Sequence, residues 1–474
     1  MGSMKIIMKF GGSVLDDSSK INNVLKIIKS FKNVNDVKND IICVVSALPG
    51  VTDKILSLTD LIMKGNRSAI MTFVDEMKFL HMNLIERTIT NKALQFETKN
   101  LVSDILSEFH DILNGLVLIS EITARSLDHM LSFGERLSAP IVCYSLRNSN
   151  LKSEYFTGKD IGIVTDSNFG EAQPLMDTTK LRVSSKILPL IQQDIIPVIT
   201  GFIGADQHGR ITTLGRSGSD YTATIIASCI NANEVYLWSN VNGLLTADPS
   251  IVDDAQVLDE VSFAEAAEMV LFGAKYIHPR ALEPVMDSNI PLKIRNAFNL
   301  SHPGTTIARD AKISKNLIKS IIAIRKTALL DVGGGGMVGS PGTAAIIFDT
   351  LAKNKVNIMM ISQGPSESSI SIVLNKDDLG KAITALELKL LGKVIKHLSV
   401  LDEVSIVTVV GSGMRGIKGI AGKIFTSVAK ENINVIMIAQ GSSELNLAFV
   451  VVDKDCEKAV KSLHKEFGLE KLDK

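Results

Sequence analysis

The sequence predicts an α/β fold: a three-layer sandwich on a mainly parallel sheet with a helical lobe, followed by two ferredoxin-like βαββαβ units. Three observations carry that reading. Residues 4 to about 300 alternate short β-branched runs with helical stretches, the rhythm of a sheet covered on both faces. Between residues 52 and 131 the pattern changes to long stretches of helical spacing with almost no glycine or proline, which reads as a helical insertion. Beyond a polar, turn-rich segment at 299–306, containing His302-Pro303-Gly304, the chain repeats itself.

Taken in order, the strands of the first domain include 5–10, 41–46, 196–200 and 234–238, and its clearest helical stretches are 73–87 and 101–118. The first repeat runs from a strand at 323–332 through a helix at 343–353 to a strand at 356–364. The second runs from 404–411 through 421–430 to 433–441. In both, another strand follows at once (369–374, 445–452) and then a helix, which is the ferredoxin-like order. The tail after the last helix is too polar for a central strand, so the strand-like 317–322 is expected to complete the second sheet. The expected organisation is a first domain at 4–305 with its insertion at about 52–131, a linker plus strand at 306–322, and repeat units at 323–395 and 400–474.

A chain of 474 residues exceeds what one hydrophobic core serves, which agrees with several domains. Lysine plus arginine equal aspartate plus glutamate at 51 each, so no global field recommends nucleic acid or an anionic membrane as partner. Cys43, Cys143, Cys229 and Cys456 lie far apart and three sit in apolar runs, as buried thiols in a reducing compartment do. No apolar run reaches the roughly 18 residues of a membrane span. The start lacks the basic and then apolar order of a signal peptide, and Met4 reads as the native start. A cytoplasmic protein is expected.

Three stretches carry chemistry. Lys9-Phe10-Gly11-Gly12-Ser13 follows the opening strand directly. Adjacent glycines let backbone N–H groups approach phosphate oxygens, and Lys9 adds a cation, although an ordinary strand-to-helix turn would look the same. It is not a Walker A loop, because the Gly-Lys-Ser/Thr ending is missing. Thr213-Leu214-Gly215-Arg216-Ser217-Gly218-Ser219-Asp220-Tyr221 precedes a helix expected to start near Thr222. Arg216 can grip a carboxylate or phosphate with two parallel bonds, and Asp220 can orient a lysine or a metal, unless it or Ser219 merely caps the helix. The third comprises residues 238–249 and 273–279, of which the first leaves the C-terminal end of a strand, where parallel sheets build ligand crevices.

Together these stretches resemble the amino-acid kinase family, and within it the aspartate kinases, over nearly the whole chain from Met4. The Lys-Phe-Gly-Gly opening, Ser132-Phe133-Gly134-Glu135, the Gly-Arg-Ser-Gly-Ser-Asp run, the Thr-Ala-Asp-Pro turn and Gly-Ala-Lys-Tyr-Ile-His-Pro occur in family order. The repeat resembles the paired ACT domains of feedback-controlled members. The resemblance implies ATP-dependent phosphorylation of the L-aspartate β-carboxylate to 4-phospho-L-aspartate, with magnesium carried by the ATP phosphates rather than by a protein metal site. It implies that Lys9 neutralises the transferred group, that Asp220 orders Lys9 and the magnesium nucleotide, and that the amides near Gly11 and Gly12 stabilise developing charge. Ser46, Thr52, Glu135 and Arg216 fall on positions that hold aspartate, with Arg216 suited to its α-carboxylate and Glu135 to its α-ammonium. Ser13, Ser239, Asn240, Val241, Gly243, Asp248 and Lys275 fall around ATP. Ser13-Val14 replaces a commoner Thr-Ser and keeps a hydroxyl. Asn240, Leu245 and Ser250 stand where an aspartate, a tyrosine and an arginine are frequent, which removes a ring and two charges from the expected nucleotide contacts. A substrate carboxylate of pKa about 3.9 is already ionised at neutral pH, so positioning and charge neutralisation suffice without a general base.

In the repeats, Asn357-Ile358 leads to Gln363 and Asn434-Val435 leads to Gln440. Asparagine before a strand and glycine after it are also ordinary boundary residues. Resemblance to ACT domains implies that these six residues hold an end-product amino acid. A buried lysine ammonium would need a counter-charge, and the apolar run 358–361 favours threonine over lysine. Exposed edges of small sheets pair between chains, so a homodimer or homotetramer is expected. A relative acting on glutamate, acetylglutamate, carbamate or a nucleotide is the rival enzyme, and a sensor with a decayed kinase fold is the rival of another class. A fused homoserine dehydrogenase is not expected after the second repeat.

Overall fold

The opening strand Lys5–Phe10 lies inside an eight-stranded sheet, paired in parallel with Asp40–Val45 on one side and Glu234–Ser239 on the other. The computed structural model describes residues 3–34, 37–271, 277–309, 311, 317–334, 337–366 and 368–471. Across the sheet the order is Glu260–Ser262, Thr305–Ala308, Leu292–Asn296, Glu234–Ser239, Lys5–Phe10, Asp40–Val45, Ile196–Thr200 and Ser153–Phe156. Every pairing is parallel except that of Leu292–Asn296 with Thr305–Ala308. Ile6, Ile7, Met8 and Phe10 are all buried, as a strand between two neighbours and under helices on both faces must be. The three-layer reading of the sequence holds.

The insertion is helical throughout its ordered elements: Val51–Met63, Arg67–Thr88, Lys92–Ile119 and Ala124–Asn148. Local caps fix its corners. Asn91 accepts from the amides of Ala93 and Leu94, and Thr123 and Ser126 form a reciprocal capping box. Phe109 stacks on Phe133 with centroids 4.5 Å apart, joining the last two helices. The helix expected near Thr222 starts earlier, at Gly218, and ends at Ile230. Ser217, at φ 51°, takes the N-cap position, so Ser219 and Asp220 lie in the first turn rather than in the loop. A Cβ on Gly218 would meet the Phe202 ring at 2.6 Å, which explains a glycine where the helix begins.

The chain divides into two compact units, the first comprising Met1–Leu244, Asp259–Phe263 and Lys275–Ala311. The second comprises Lys312–Lys474 together with Leu245–Leu258 and Ala264–Ala274, two segments that the sequence places within 4–305. Its six-stranded antiparallel sheet has the order Ile358–Gln363, Ser369–Asn375, Ser320–Gly333, His397–Val410, Asn446–Val452, Met437–Ala439. Two strands of 14 residues join the repeats. Thr327–Gly333 pairs with Ser369–Asn375 of the first repeat, whereas Ser320 to Ile324 pair with Val410 to Ile406 of the second. The strand expected at 433–441 is only Met437–Ala439, because Ile433 and Val435 turn into the core with Ile424 and Val428. Ala247, Ile251 and Val252 are buried in that same core.

Candidate active site

The C-terminal ends of the parallel strands open into a cleft of about 630 Å3 in the first unit. Lys5–Phe10 runs straight into Gly11, whose amide donates to Trp238 O at 3.1 Å. Gly12 starts a single 3-10 turn, Gly12–Val14. A Cβ there would lie 2.7 Å from Ala47 O, so only glycine lets this turn press against the loop after Asp40–Val45. That loop carries Ser46, whose amide donates to Phe10 O at 3.2 Å and whose carbonyl accepts from Ser138 Oγ at 2.7 Å. Thr52 lies in the first turn of Val51–Met63.

Lys9 Nζ lies 2.6 Å from Asp220 Oδ1, with both side chains mostly buried. Asp220 therefore spends its carboxylate on the lysine, and the N-cap of its helix has no side-chain hydrogen bond. The Lys9 ammonium also lies 3.6 Å from where a Cβ on Gly11 would stand, so it reaches the glycine turn.

Glu135 faces the same cleft from Ala124–Asn148. It is 4% exposed, and its Oε2 is buried without a hydrogen-bond partner. Burial pushes its carboxyl up to about 8, against the pull of the Ala47 and Glu135 backbones and the Lys9 charge. A Cβ on the preceding Gly134 would meet Ala47 Cβ at 2.9 Å, so glycine brings this helix against the Ser46 loop. Arg216 is exposed and lines the same cleft from the loop before Gly218–Ile230. Among the described residues it makes no hydrogen bond or ion pair.

Lys9, Ser46, Thr52, Glu135, Arg216 and Asp220 thus line one cleft, and Gly11, Gly12 and Ser13 continue from Lys9 through the Phe10 strand end into the 3-10 turn. Ser239, Asn240, Val241 and Gly243 form the turn after Glu234–Ser239, where Ser239 Oγ accepts from Val241 N at 3.4 Å and Asn240 O accepts from Asn296 Nδ2 at 3.4 Å. Asp248 belongs to the second unit, and its Oδ1 accepts from the amide and hydroxyl of Ser250 at 2.8 and 2.7 Å. Lys275 lies outside the described residues. In the second unit Asn357, Gln363, Asn434 and Gln440 are exposed, while Ile358 and Val435 are half-buried.

Among the cleft residues that escape the sequence reading are Asp128, Phe169 and Phe202. Asp128 stands seven residues before Glu135, two helical turns away on the same face, a spacing that could have flagged it. Phe202 adopts φ 69°, and its amide donates to Thr222 Oγ1 at 2.9 Å; a bulky residue in that conformation leaves no sequence signal.

A glycine turn and a lysine–aspartate pair at the end of a parallel sheet, beside a buried carboxylate and an unpaired arginine, define a small-molecule phosphotransferase of the amino-acid kinase class. The amino acid kinase family model matches residues 4–296, and the ACT domain model matches 330–390 and 407–467. Aspartokinase 3, chloroplastic, of Arabidopsis thaliana is 32% identical over 475 residues, 97% of this chain and 81% of that protein. The bifunctional aspartokinase/homoserine dehydrogenase 1, chloroplastic, of Zea mays is 33% identical over 478 residues, 99% of this chain and 51% of the relative. The chain therefore spans about half the length of the bifunctional relatives it matches. E. coli aspartokinase III superposes in two states. With aspartate and ADP (R-state) the TM-score is 0.81 at 26% identity, covering 97% of this chain and 99% of that one. With lysine and aspartate (T-state) it is 0.79 at 26%, covering 98% and 99%. The chain belongs to the amino acid kinase family and, within it, to the aspartokinases, with two ACT domains following the kinase domain. None of its described helices is long and apolar enough to cross a membrane.

Proposed function

We propose that this chain transfers the γ-phosphoryl group of ATP to the β-carboxylate of L-aspartate, giving 4-phospho-L-aspartate, the first step toward lysine, threonine and methionine. The observation that carries the reading is Glu135 Oε2, a buried carboxylate oxygen without a partner, in a cleft shared with an unpaired arginine and Lys9. Such a group is costly unless a cation arrives, and a substrate α-ammonium is that cation. Arg216 takes the α-carboxylate, and the Ser46 and Thr52 hydroxyls donate to the substrate.

The β-carboxylate, ionised at neutral pH, attacks the γ-phosphorus in line and ADP leaves. Lys9, held by Asp220, and the amides around Gly11 and Gly12 neutralise the charge that builds on the transferred oxygens. Ser13, Ser239, Asn240, Val241, Gly243, Asp248 and Lys275 hold the nucleotide. The closeness of Gly11 to Trp238 O supports this, because it joins the glycine turn to the loop beginning at Ser239. Magnesium on the ATP phosphates would supply further charge neutralisation, with Asp220 orienting it beside Lys9. Residues 4–305 form the catalytic domain, and 323–395 and 400–474 the two sensing domains.

Asn357, Ile358, Gln363, Asn434, Val435 and Gln440 hold the feedback amino acid. Ile358, Met359, Met360 and Ile361 offer no carboxylate to a lysine ammonium, so threonine is the favoured effector over the lysine found with E. coli aspartokinase III. Ile361 and Ile438 are 43% and 46% exposed on the two end strands of the six-stranded sheet, where a second copy of the chain would pair. Four free, buried cysteines suit a reducing compartment, the cytoplasm. The test is ATP turnover with L-aspartate and magnesium, trapping the acyl phosphate as a hydroxamate. Aspartate-dependent hydroxamate suppressed by threonine supports the whole reading. Suppression by lysine alone reverses the effector, and no product removes the substrate assignment.

A further inference from the structure

We infer that Asp128 is a positioning residue that sets the width of the substrate cleft, tying the two loops that bear Phe169 and Arg216 to the helix that bears Glu135. The inference rests on the assignment of Glu135 and Arg216 to the substrate's α-ammonium and α-carboxylate. Asp128 is 1% exposed and sits on Ala124–Asn148, two turns before Glu135 on one helix face. Its Oδ2 accepts from Gly170 N at 2.9 Å and Thr213 N at 2.8 Å, and its Oδ1 accepts from Thr213 Oγ1 at 2.7 Å. Bonds from backbone N–H groups to a carboxylate are charge-assisted and directional.

Both attachment points line the cleft. Gly170 follows Phe169, and Thr213 ends the strand Ile211–Thr213, three residues before Arg216. The two loops are also joined to each other, since Ala172 N donates to Thr213 O at 3.0 Å. A Cβ on Gly215 would lie 3.3 Å from Gly170 O, so the Arg216 loop packs directly on the Gly170 loop. One buried carboxylate thereby fixes the wall carrying Arg216 relative to the wall carrying Glu135. Burial raises the carboxyl's pKa against these bonds, so the group is costly where it stands. An apolar side chain would be cheaper to bury but would leave two amides without a partner.

The experiment compares wild type, D128A, D128N and T213V in steady-state kinetics, with thermal unfolding alongside. D128A is expected to raise the aspartate KM roughly tenfold to a hundredfold and to leave the ATP KM within about twofold. D128N keeps one oxygen for the two amides and can turn its NH2 toward Thr213 Oγ1, so it restores most of the aspartate KM. T213V removes only the Oδ1 bond and should raise the aspartate KM at least about threefold, which keeps the test open should D128A not fold. Unchanged aspartate KM in D128A or T213V, equal rises for both substrates, or failure of D128N to restore would overturn the positioning role. A wild type without aspartate-dependent turnover would instead overturn the substrate assignment, and this inference with it.

Discussion

The ammonium of Lys9 lies 2.6 Å from Oδ1 of Asp220, joining the end of the first strand to the first turn of the helix Gly218–Ile230. The pair does more than neutralise two charges. Held by Asp220, the lysine stays beside the Gly11 turn, where a transferred phosphoryl group would develop charge, instead of swinging into solvent. A cation already in place loses little to reorganisation when the reaction needs it.

Replacing Lys9 with Ala should therefore lower kcat by roughly a hundredfold to a thousandfold while the aspartate KM changes less than about threefold. Steady-state kinetics with varied aspartate at saturating ATP measures the split. Unchanged turnover would remove Lys9 from the chemistry.

If Glu135 takes the substrate ammonium as proposed, aspartate recognition should depend on pH. In the free protein its carboxyl is pushed up to about 8 by burial, so at pH 7 it is largely protonated and cannot pair with an ammonium. The kcat/KM for aspartate should rise with pH and level off above about 8, because that ratio reports the free enzyme. Glu135→Gln should lower the ratio and abolish the rise. The folded value lies above the unfolded one of 4.5, so the native state holds the extra proton. Stability from this group is present below 4.5 and lost as pH rises toward about 8. Saturating aspartate should offset that loss in a thermal unfolding series.

What was legible in the sequence follows from how local each signal is. The opening strand, the parallel sheet and the helix Thr343–Lys353 were readable because hydrophobic period and turn residues mark them within a few positions. Lys9, Arg216 and Asp220 were readable as charged residues in glycine-rich stretches, Glu135 only through the family resemblance, and all four share a cleft. The start of the helix at Gly218 was not, because it goes with a left-handed Ser217 and with Phe202, distant in sequence, packed against the glycine. Asp128 was missed for a similar reason. Its partners Gly170 and Thr213 lie 42 and 85 residues away, and a lone aspartate in a helix carries no mark of them. The long strands Ser320–Gly333 and His397–Val410 exceed the expected 323–332 and 404–411 because each crosses into the other repeat's half of the sheet.

Gly12→Ala tests how tightly the glycine turn is built. The new Cβ would stand 2.7 Å from the Ala47 carbonyl oxygen, a backbone atom that cannot rotate away. The turn must shift, and overpacking of this kind costs about 1–3 kcal/mol. The variant should unfold at a lower temperature and lose at least about tenfold in kcat, since the amides of the turn move with it. A variant with wild-type kcat and Tm would mean that the Ser46 loop yields without consequence.

The helical lobe carries its own acid sensitivity. His81 is fully buried, its Nδ1 is 2.7 Å from Met77 O, and its Nε2 has no partner. The ring is neutral in the fold, because burial lowers its pKa from 6.5 to about 4, with the Met77 carbonyl opposing. An unfolded chain takes up the proton at 6.5, so the stability this group contributes is present above 6.5 and lost as pH falls from 6.5 toward about 4. A shift of that size corresponds to about 3 kcal/mol. His81→Leu replaces the ring with a non-titrating apolar side chain of similar bulk, and it should flatten the drop in denaturation midpoint between pH 7 and pH 4.5, followed by far-UV circular dichroism. An equal drop in both proteins would assign the acid sensitivity to other groups, with the buried His464 of the second unit, whose pKa burial also lowers, as the next to replace.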